Sequence, residues 1–581
     1  MEISPSTASS GNPSSRQRRI SSVSSATLSQ RSSAIKGVYD GAGYLHNGPQ
    51  SADTGRDMNA VVLFAGRLSP AVYEPLSGGR DSLTLAVERA RSFPDVSEVI
   101  LLALPDFEAP PALGKVRVER SDHWGMRSVL DCLAEISKSF DLLYFAWADC
   151  PLLDPVLAAA MQARHLRFAA EYTFADGWPY GLAPEILSPT TAATLAYLAG
   201  DDNSRVERDL LFTVIQKDIN SFDLETEISP VDLRMHRLTL AADSRRNVLL
   251  IQRLMDAGLA GAIDAERVLK ERPELLRTLP AFYAIQVEGG CPQSCTLCPY
   301  PVYAAQSPTG TAAVAVTAPA SQTVLARRDE MPIERFSALL DSIRSFSGDA
   351  VVDISLWGEC SLHSRITELV SAALVRPEIS LVVETCGLGW KKDDIQTIAG
   401  LVRDAPPRLN GMSPLTWIVA LDAEEPVLYE KLRGTGYAEA RAFAENLLAL
   451  FPKDTHVQAL RIIDGEEDLE RFYRAWKLKT PNVIVQKHDD FCSFLKPLKA
   501  TDLSPVRRFP CRHLMRDLSV LIDGTVPFCK EDLGRNPSIG NVFKDDLPII
   551  WERLAPLYAN HAAGNYPGLC AECDEYYTYN F

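Results

Sequence analysis

The side chains best equipped for chemistry are cysteines, and they fall into two groups. Cys291, Cys295 and Cys298 form C-x3-C-x2-C within VEGGCPQSCTLCPYP. Three thiolates with no fourth nearby suit a cubane iron–sulfur cluster with one iron left open. Zinc is the alternative, although a structural zinc site takes four protein ligands, usually from close-spaced pairs. Gly289 and Gly290 let the backbone turn sharply ahead of the loop. Further on, Cys511 and Cys529 flank a stretch containing Gly524, and Cys570-x2-Cys573 follows. These four thiols could ligate one [4Fe–4S] cluster completely, and by spacing alone a zinc ribbon competes. A centre of another kind is Asp149 in AWADCPLLD, whose hard oxygens would suit Mg2+.

Apolar patterning shows what must hold these groups. The runs 60–63, 99–104 and 142–146 read as buried strands, with helical patterns at 83–91 and 129–137 between them. Residues 57–245 thus make one α/β domain with a mostly parallel sheet. Asp149 follows a strand's carboxyl end, where ligands bind in such sheets. Residues 246–280 read as a helical connector. Within 281–500, six apolar runs (283–287, 351–356, 381–384, 416–421, 457–462 and 483–486) alternate with helical patterns at 333–346, 366–375, 392–402, 437–451 and 467–477. That is a partial (β/α)6 barrel. The first cysteine group follows its first strand. Trp357, Gly358 and Glu359 follow the second, Glu384-Thr385-Cys386-Gly387 the third, Ala420-Leu421-Asp422 the fourth, and Arg461 and Asp464 the fifth. All these loops open on one face of a barrel, so groups distant in sequence converge there. Cys360 and Cys386 read first as small buried residues. The stretch 304–326 reads as a low-complexity insertion. Residues 505–581 are short and loop-rich, so a metal staple is expected there.

The C-x3-C-x2-C motif resembles the signature of radical SAM enzymes. Trp357-Gly358-Glu359 resembles that family's GGE motif, Thr385 lies in a TNG-like turn, and Asp422 takes the place of the common SLD sequence. Leu297 stands where the family usually has an aromatic residue, Trp357 replaces the first glycine of GGE, and Cys386 replaces an asparagine. The resemblance implies S-adenosylmethionine held by Gly358, Glu359, Thr385, Asp422 and Arg461 against a [4Fe–4S] cluster on Cys291, Cys295 and Cys298. It implies reductive cleavage to a 5′-deoxyadenosyl radical that takes hydrogen from a substrate. The tail resembles the SPASM extension, which implies one auxiliary [4Fe–4S] cluster on Cys511, Cys529, Cys570 and Cys573. Asp489, Asp490 and Asp532 are candidate bases near the substrate. The 57–245 domain resembles nucleotidyltransferases of the cytidylyltransferase type, in an α/β sandwich, with Asp149 at their Mg2+ position. Its phosphate loop is degenerate, because Gly66-Arg67 is followed by LSPAVYEPL with neither a second glycine in register nor a matching lysine. The whole order of domains resembles the spiro-SPASM group.

Composition narrows the remaining field. The 581 residues carry Lys+Arg 59 against Asp+Glu 75, a formal net charge of −16. That balance argues against a nucleic-acid binder, which needs a basic footprint. No segment has 18 consecutive apolar residues, so no membrane span is expected. Residues 1–56, rich in Ser and Arg at their start, read as a disordered tail. Oxygen-labile clusters and free thiols point to the cytoplasm. The expected substrate is a peptide or protein. A sugar- or nucleotide-linked small molecule presented by the amino-terminal domain is a second reading, and a non-catalytic zinc protein a third. Flavodoxin or ferredoxin would supply electrons.

Overall fold

The computed structural model describes residues 58–300, 302–303, 329–500, 505 and 507–577. The expectations for 1–56 and 304–326 lie outside the described residues.

The amino-terminal region is built on β1 (Asn59–Phe64), whose six residues are all buried. A strand that buries both faces needs a neighbour on each edge and helices above and below. β2 (Val96–Ala103) and β4 (Leu143–Trp147) supply the edges, both parallel to β1. With β3 (Arg117–Arg120), β5 (Tyr172–Asp176), β6 (Glu185–Leu187) and β7 (Leu224–Ile228), the sheet runs β3-β2-β1-β4-β6-β5-β7. Only β6 runs against its neighbours. The helices Arg245–Asp256 and Ala262–Glu271 bury Leu254 and Leu269 in this same core, so the 246–280 segment packs as part of the amino-terminal layer.

The second sheet contains β8 (Phe282–Ile285), β9 (Ala350–Asp353), β10 (Ile379–Thr385), β11 (Leu415–Ala420), β12 (Thr455–Arg461) and β13 (Val483–Lys487), all parallel. Helices cross between them, among them Ile333–Ser347, Ile366–Leu374 and Tyr437–Leu450. A seventh strand joins where a loop-rich tail was expected. β14 (Asp517–Val520) pairs in parallel with the free edge of β8, in register Val520 to Ile285. The order is β13-β12-β11-β10-β9-β8-β14, and the sheet stays open between its end strands. The tail therefore does not stand alone. Leu518, Val520, Ile550 and Trp551 share one core with Tyr283 and Ile343 of the barrel. No helix among the described residues is long and apolar enough to cross a membrane.

Arginines bolt the amino-terminal layer to the barrel. Arg245 donates to the carbonyls of Ser345 and Phe346, and Arg246 pairs with Asp349 at 3.0 Å. Arg205 reaches the Gly411 carbonyl at 2.6 Å. The 345–349 segment runs into β9 and the 411 loop into β11, so this docking face lies at the amino ends of the strands. Arg277 is 6% exposed, lies 3.7 Å over the Trp551 ring, and donates to the Leu514 and Trp551 carbonyls. Removing a buried, charged donor of two bonds that also rests on an aromatic face costs about 2–4 kcal/mol. Arg277→Ala should lower the urea midpoint of unfolding accordingly, and an unchanged midpoint would remove Arg277 from the junction's energetics.

Candidate functional site

The first cysteine loop leaves the carboxyl end of β8 and is tied off at both ends. Tyr300, just past Cys298, donates its hydroxyl to the Gly289 carbonyl ahead of Cys291. Leu297 packs with Leu432 and Ile462, which gives the departure from the aromatic pattern an apolar seat of its own. All three thiols are free. Burial pushes each of them up, and on Cys295 the Arg433 guanidinium, 3.9 Å from the sulfur, pulls the other way. Glu359 and the other two cysteines add to the rise at Cys291, so the three thiols lie within electrostatic reach of one another. Thiols held like this ionise when a metal takes them. Among the described residues, no three His, Cys, Asp or Glu side chains are drawn together around a single metal ion.

The loop after β9 is seated directly on the cysteine loop. Gly358 has φ +77°, and a Cβ there would lie 2.1 Å from the Glu288 carbonyl oxygen. Glu359 donates its N–H to the Gly290 carbonyl at 2.7 Å. Its buried carboxylate accepts from the Thr385 hydroxyl at 2.7 Å and the Cys386 N–H at 2.8 Å, so it also ties the β10 loop in place. Asp422 has φ +62° and is 5% exposed. It accepts from the Leu460 N–H at 2.9 Å and pairs with Arg433 at 2.6 Å. Burial opposes the Arg433 charge, and Asp422 and Cys295 outweigh it, so the guanidinium stays protonated. Gly358, Glu359, Thr385 and Asp422 are thus brought to the cysteine loop.

Arg461 is not brought in. It ends β12, but its guanidinium pairs with Glu466 at 2.7 Å and stays 38% exposed, because a carboxylate five residues on captures it locally. Cys360 and Cys386 are buried in the barrel core, and the Cys386 thiol senses both Glu359 and Cys291.

Sequence reasoning missed several neighbours. Arg433 closes the helix Pro426–Arg433, which the patterning overlooked, and it also donates to Gln293 at 3.2 Å. Inside the barrel, burial and the Glu384 carboxylate push Asp353 up to about 7. A single Asp on an apolar strand carries no signal of that kind.

The second cysteine group gathers beside the mouth. Cys511 senses the charge of Cys573 and Cys570, Cys529 that of Cys511 and Cys573, and Cys570 that of Cys573. The Glu575 N–H donates to the Cys573 sulfur at 3.4 Å. A fifth thiol, Cys492, hydrogen-bonds Cys573. It sits in a turn where Phe491, Cys492 and Ser493 all have positive φ, clamped by Arg535 donating to the Phe491 and Cys492 carbonyls. Phe491 packs on Trp357 at 5.7 Å, and Trp357 stacks on Tyr300 at 6.1 Å. One aromatic chain thus joins the two cysteine regions. Between them lies a cavity of about 170 Å3 lined by Trp357, Tyr303, Cys529, Lys530 and Asp532. Burial opposes the Lys530 charge, but Glu531 at 3.1 Å and Asp489 at 3.6 Å hold it protonated. Asp532 is 5% exposed, and its Oδ2 has no hydrogen-bond partner among the described residues. Asp489 faces Lys530, and the Asp490 carboxylate is taken by the Ser493 N–H.

Asp149 does not fit a Mg2+ site. Both its oxygens are held by Arg208, at 3.1 and 2.7 Å.

An acid with a raised value in the fold keeps a proton that the unfolded chain has already released. Stability then falls as pH rises from the ordinary aspartate range, about 4, towards the folded value. Asp353→Asn should abolish that fall. Urea midpoints of the two proteins should nearly coincide at about pH 4 and separate, variant above wild type, to a plateau past about pH 7. Parallel profiles would mean that Asp353 holds no such proton.

No family model matches the chain. A Leptospira borgpetersenii cytidylyltransferase structure is similar at 17% identity and TM-score 0.32, covering 38% of this chain and 96% of that one. The crystal structure of Streptococcus suis SuiB bound to precursor peptide SuiA is similar at 14% identity and TM-score 0.37, covering 63% of this chain and 82% of that one. A Treponema pallidum protein described as "Uncharacterized protein" is 35% identical over 380 residues, which is 64% of this chain and 98% of that protein. With identity at that level over nearly the whole relative, the chain belongs to the same family as this Treponema pallidum protein.

Proposed function

We propose that the chain is a radical SAM enzyme with one auxiliary iron–sulfur cluster, acting on a side chain of a peptide or protein. The observation that carries this reading is a convergence at the carboxyl ends of the parallel strands β8, β9 and β11. The Cys291–Cys295–Cys298 loop, the Gly358-Glu359 turn bonded to it and the Asp422–Arg433 pair reaching Cys295 all meet there. A [4Fe–4S] cluster with bound S-adenosylmethionine would supply one electron and a carbon radical able to take hydrogen from carbon.

The chain's own residues do the rest. Arg433 offsets thiolate charge at Cys295 in a buried site, where an unpaired charge costs most. Glu359 fixes two loops against each other, so the groups that would hold a cofactor keep one geometry. Asp532 lines the cavity and is the candidate base for a substrate proton. Flavodoxin or ferredoxin would be the electron donor, and the cytoplasm the compartment.

The cavity favours the peptide reading. It is smaller than the roughly 300–1,000 Å3 usual for sites that enclose a whole small molecule, and it suits one inserted side chain. Presentation of a metabolite by the amino-terminal domain is the second reading; that domain meets the barrel at the strands' amino ends and also touches the tail, where His236 packs on Phe509 and Arg237 on Tyr577.

Anaerobic reconstitution tests the reading. About eight iron and eight sulfide per chain are expected, with reductive release of 5′-deoxyadenosine from S-adenosylmethionine. Cys295→Ala should lose about half the iron and all of the cleavage. A chain holding about two zinc ions and almost no iron would replace the enzyme reading with the zinc-protein one.

A further inference from the structure

The resemblance of residues 57–245 to nucleotidyltransferases implies a divalent cation at Asp149, and the side chains around Asp149 contradict that. Asp149 is 2% exposed and lies just past β4. The Arg208 guanidinium grips it through both terminal nitrogens, the parallel two-bond fork in which this group matches a carboxylate best. The same Nη2 bonds Asp243 at 2.9 Å, and Nη1 reaches the Tyr180 hydroxyl at 3.4 Å. Trp147 and Tyr180 cover the guanidinium plane at 4.6 and 5.0 Å. Asp243 spends its other oxygen on Asn247 at 2.8 Å.

A Mg2+ ion would need these same oxygens at about 2.1 Å, together with waters or phosphate. The guanidinium already fills that volume, and its terminal donors face protein acceptors rather than an incoming phosphate. The grip is also built in. Arg208 belongs to a short segment pinned along its length, in which the Ser204 carbonyl accepts from Met126 and the Val206 carbonyl accepts from Arg67. Three residues before Arg208, Arg205 reaches the barrel at Gly411. A Cβ on Gly411, whose φ is +74°, would lie 1.5 Å from that guanidinium. One segment therefore fills the carboxylate pair and fastens the domain to the barrel.

We infer that Arg208 is the permanent cation of the Asp149–Asp243 pair, so that the amino-terminal domain binds no divalent metal there and serves as a docked scaffold. This does not depend on the radical SAM reading and can fail separately from it.

The test uses the full-length protein and Mn2+, read by loss of the free-ion electron paramagnetic resonance signal. Wild type and Asp149→Asn should take up the same amount of Mn2+. Arg208→Gln should gain about one ion per chain, and the Arg208→Gln/Asp149→Asn double variant should lose it again. A wild-type ion that Asp149→Asn removes would overturn the inference, and so would a folded Arg208→Gln that gains none. Deleting one partner of a buried pair leaves a bare charge and can unfold a chain. Melting of Arg208→Gln with and without Mn2+ guards against that: a rise in Tm that the double variant lacks supports the inference. If the variant does not fold at all, the comparison of wild type with Asp149→Asn decides the matter alone.

Discussion

A single missing side chain allows the mouth of the barrel to assemble. The Glu288 carbonyl comes so close to Gly358 that no Cβ fits between them. That approach seats the loop after β9 on the loop after β8 and sets the Glu359 N–H against Gly290. Glu359 then fixes the turn after β10, and Asp422 with Arg433 closes the ring from the side of β11. Buried polar groups of this kind are tolerable only when nearly all are satisfied, because each unpaired one costs far more inside than in water. The loops consequently stand or fall as a set.

The two halves of the molecule use charge in opposite ways. At the mouth, Arg433 partners one carboxylate and still faces a thiol, so it works for whatever occupies the cysteine loop. In the amino-terminal layer, Arg208 has its terminal nitrogens spent on protein acceptors and a face against Trp147. The first arrangement leaves room for a guest, and the second is self-contained. A carboxylate read alone cannot show which of the two it belongs to.

Much of this was legible in the chain. The strands β8 to β13 lie within a few residues of their apolar runs, because short apolar runs alternating with helical patterns leave a clear local signal. What escaped reading depends on partners far away. Arg208 lies 59 positions from Asp149, and nothing near either residue announces the pair. Arg433 rides on an eight-residue helix whose charges look like a solvated face. Cys492 has no spacing partner in sequence, and its neighbour Cys573 is supplied only by the fold. Arg461 shows the reverse error: its place at a strand end suggested a cofactor contact, and a nearby glutamate took it instead.

The pairing of β14 with β8 also governs the order in which the molecule can be finished. The Ile522 N–H bonds Gln286 across 236 positions of sequence, and the strand beside it covers an edge that no other described strand covers. While the ribosome is still making the barrel, the first strand to emerge keeps one side unpaired, the exposure that native sheets work to avoid. Pairings this distant form late and slowly. The cysteine loop that hangs from β8 is therefore carried by an unfinished edge until residues 517–520 have been made, and the last strand of this sheet in sequence completes the support of the first.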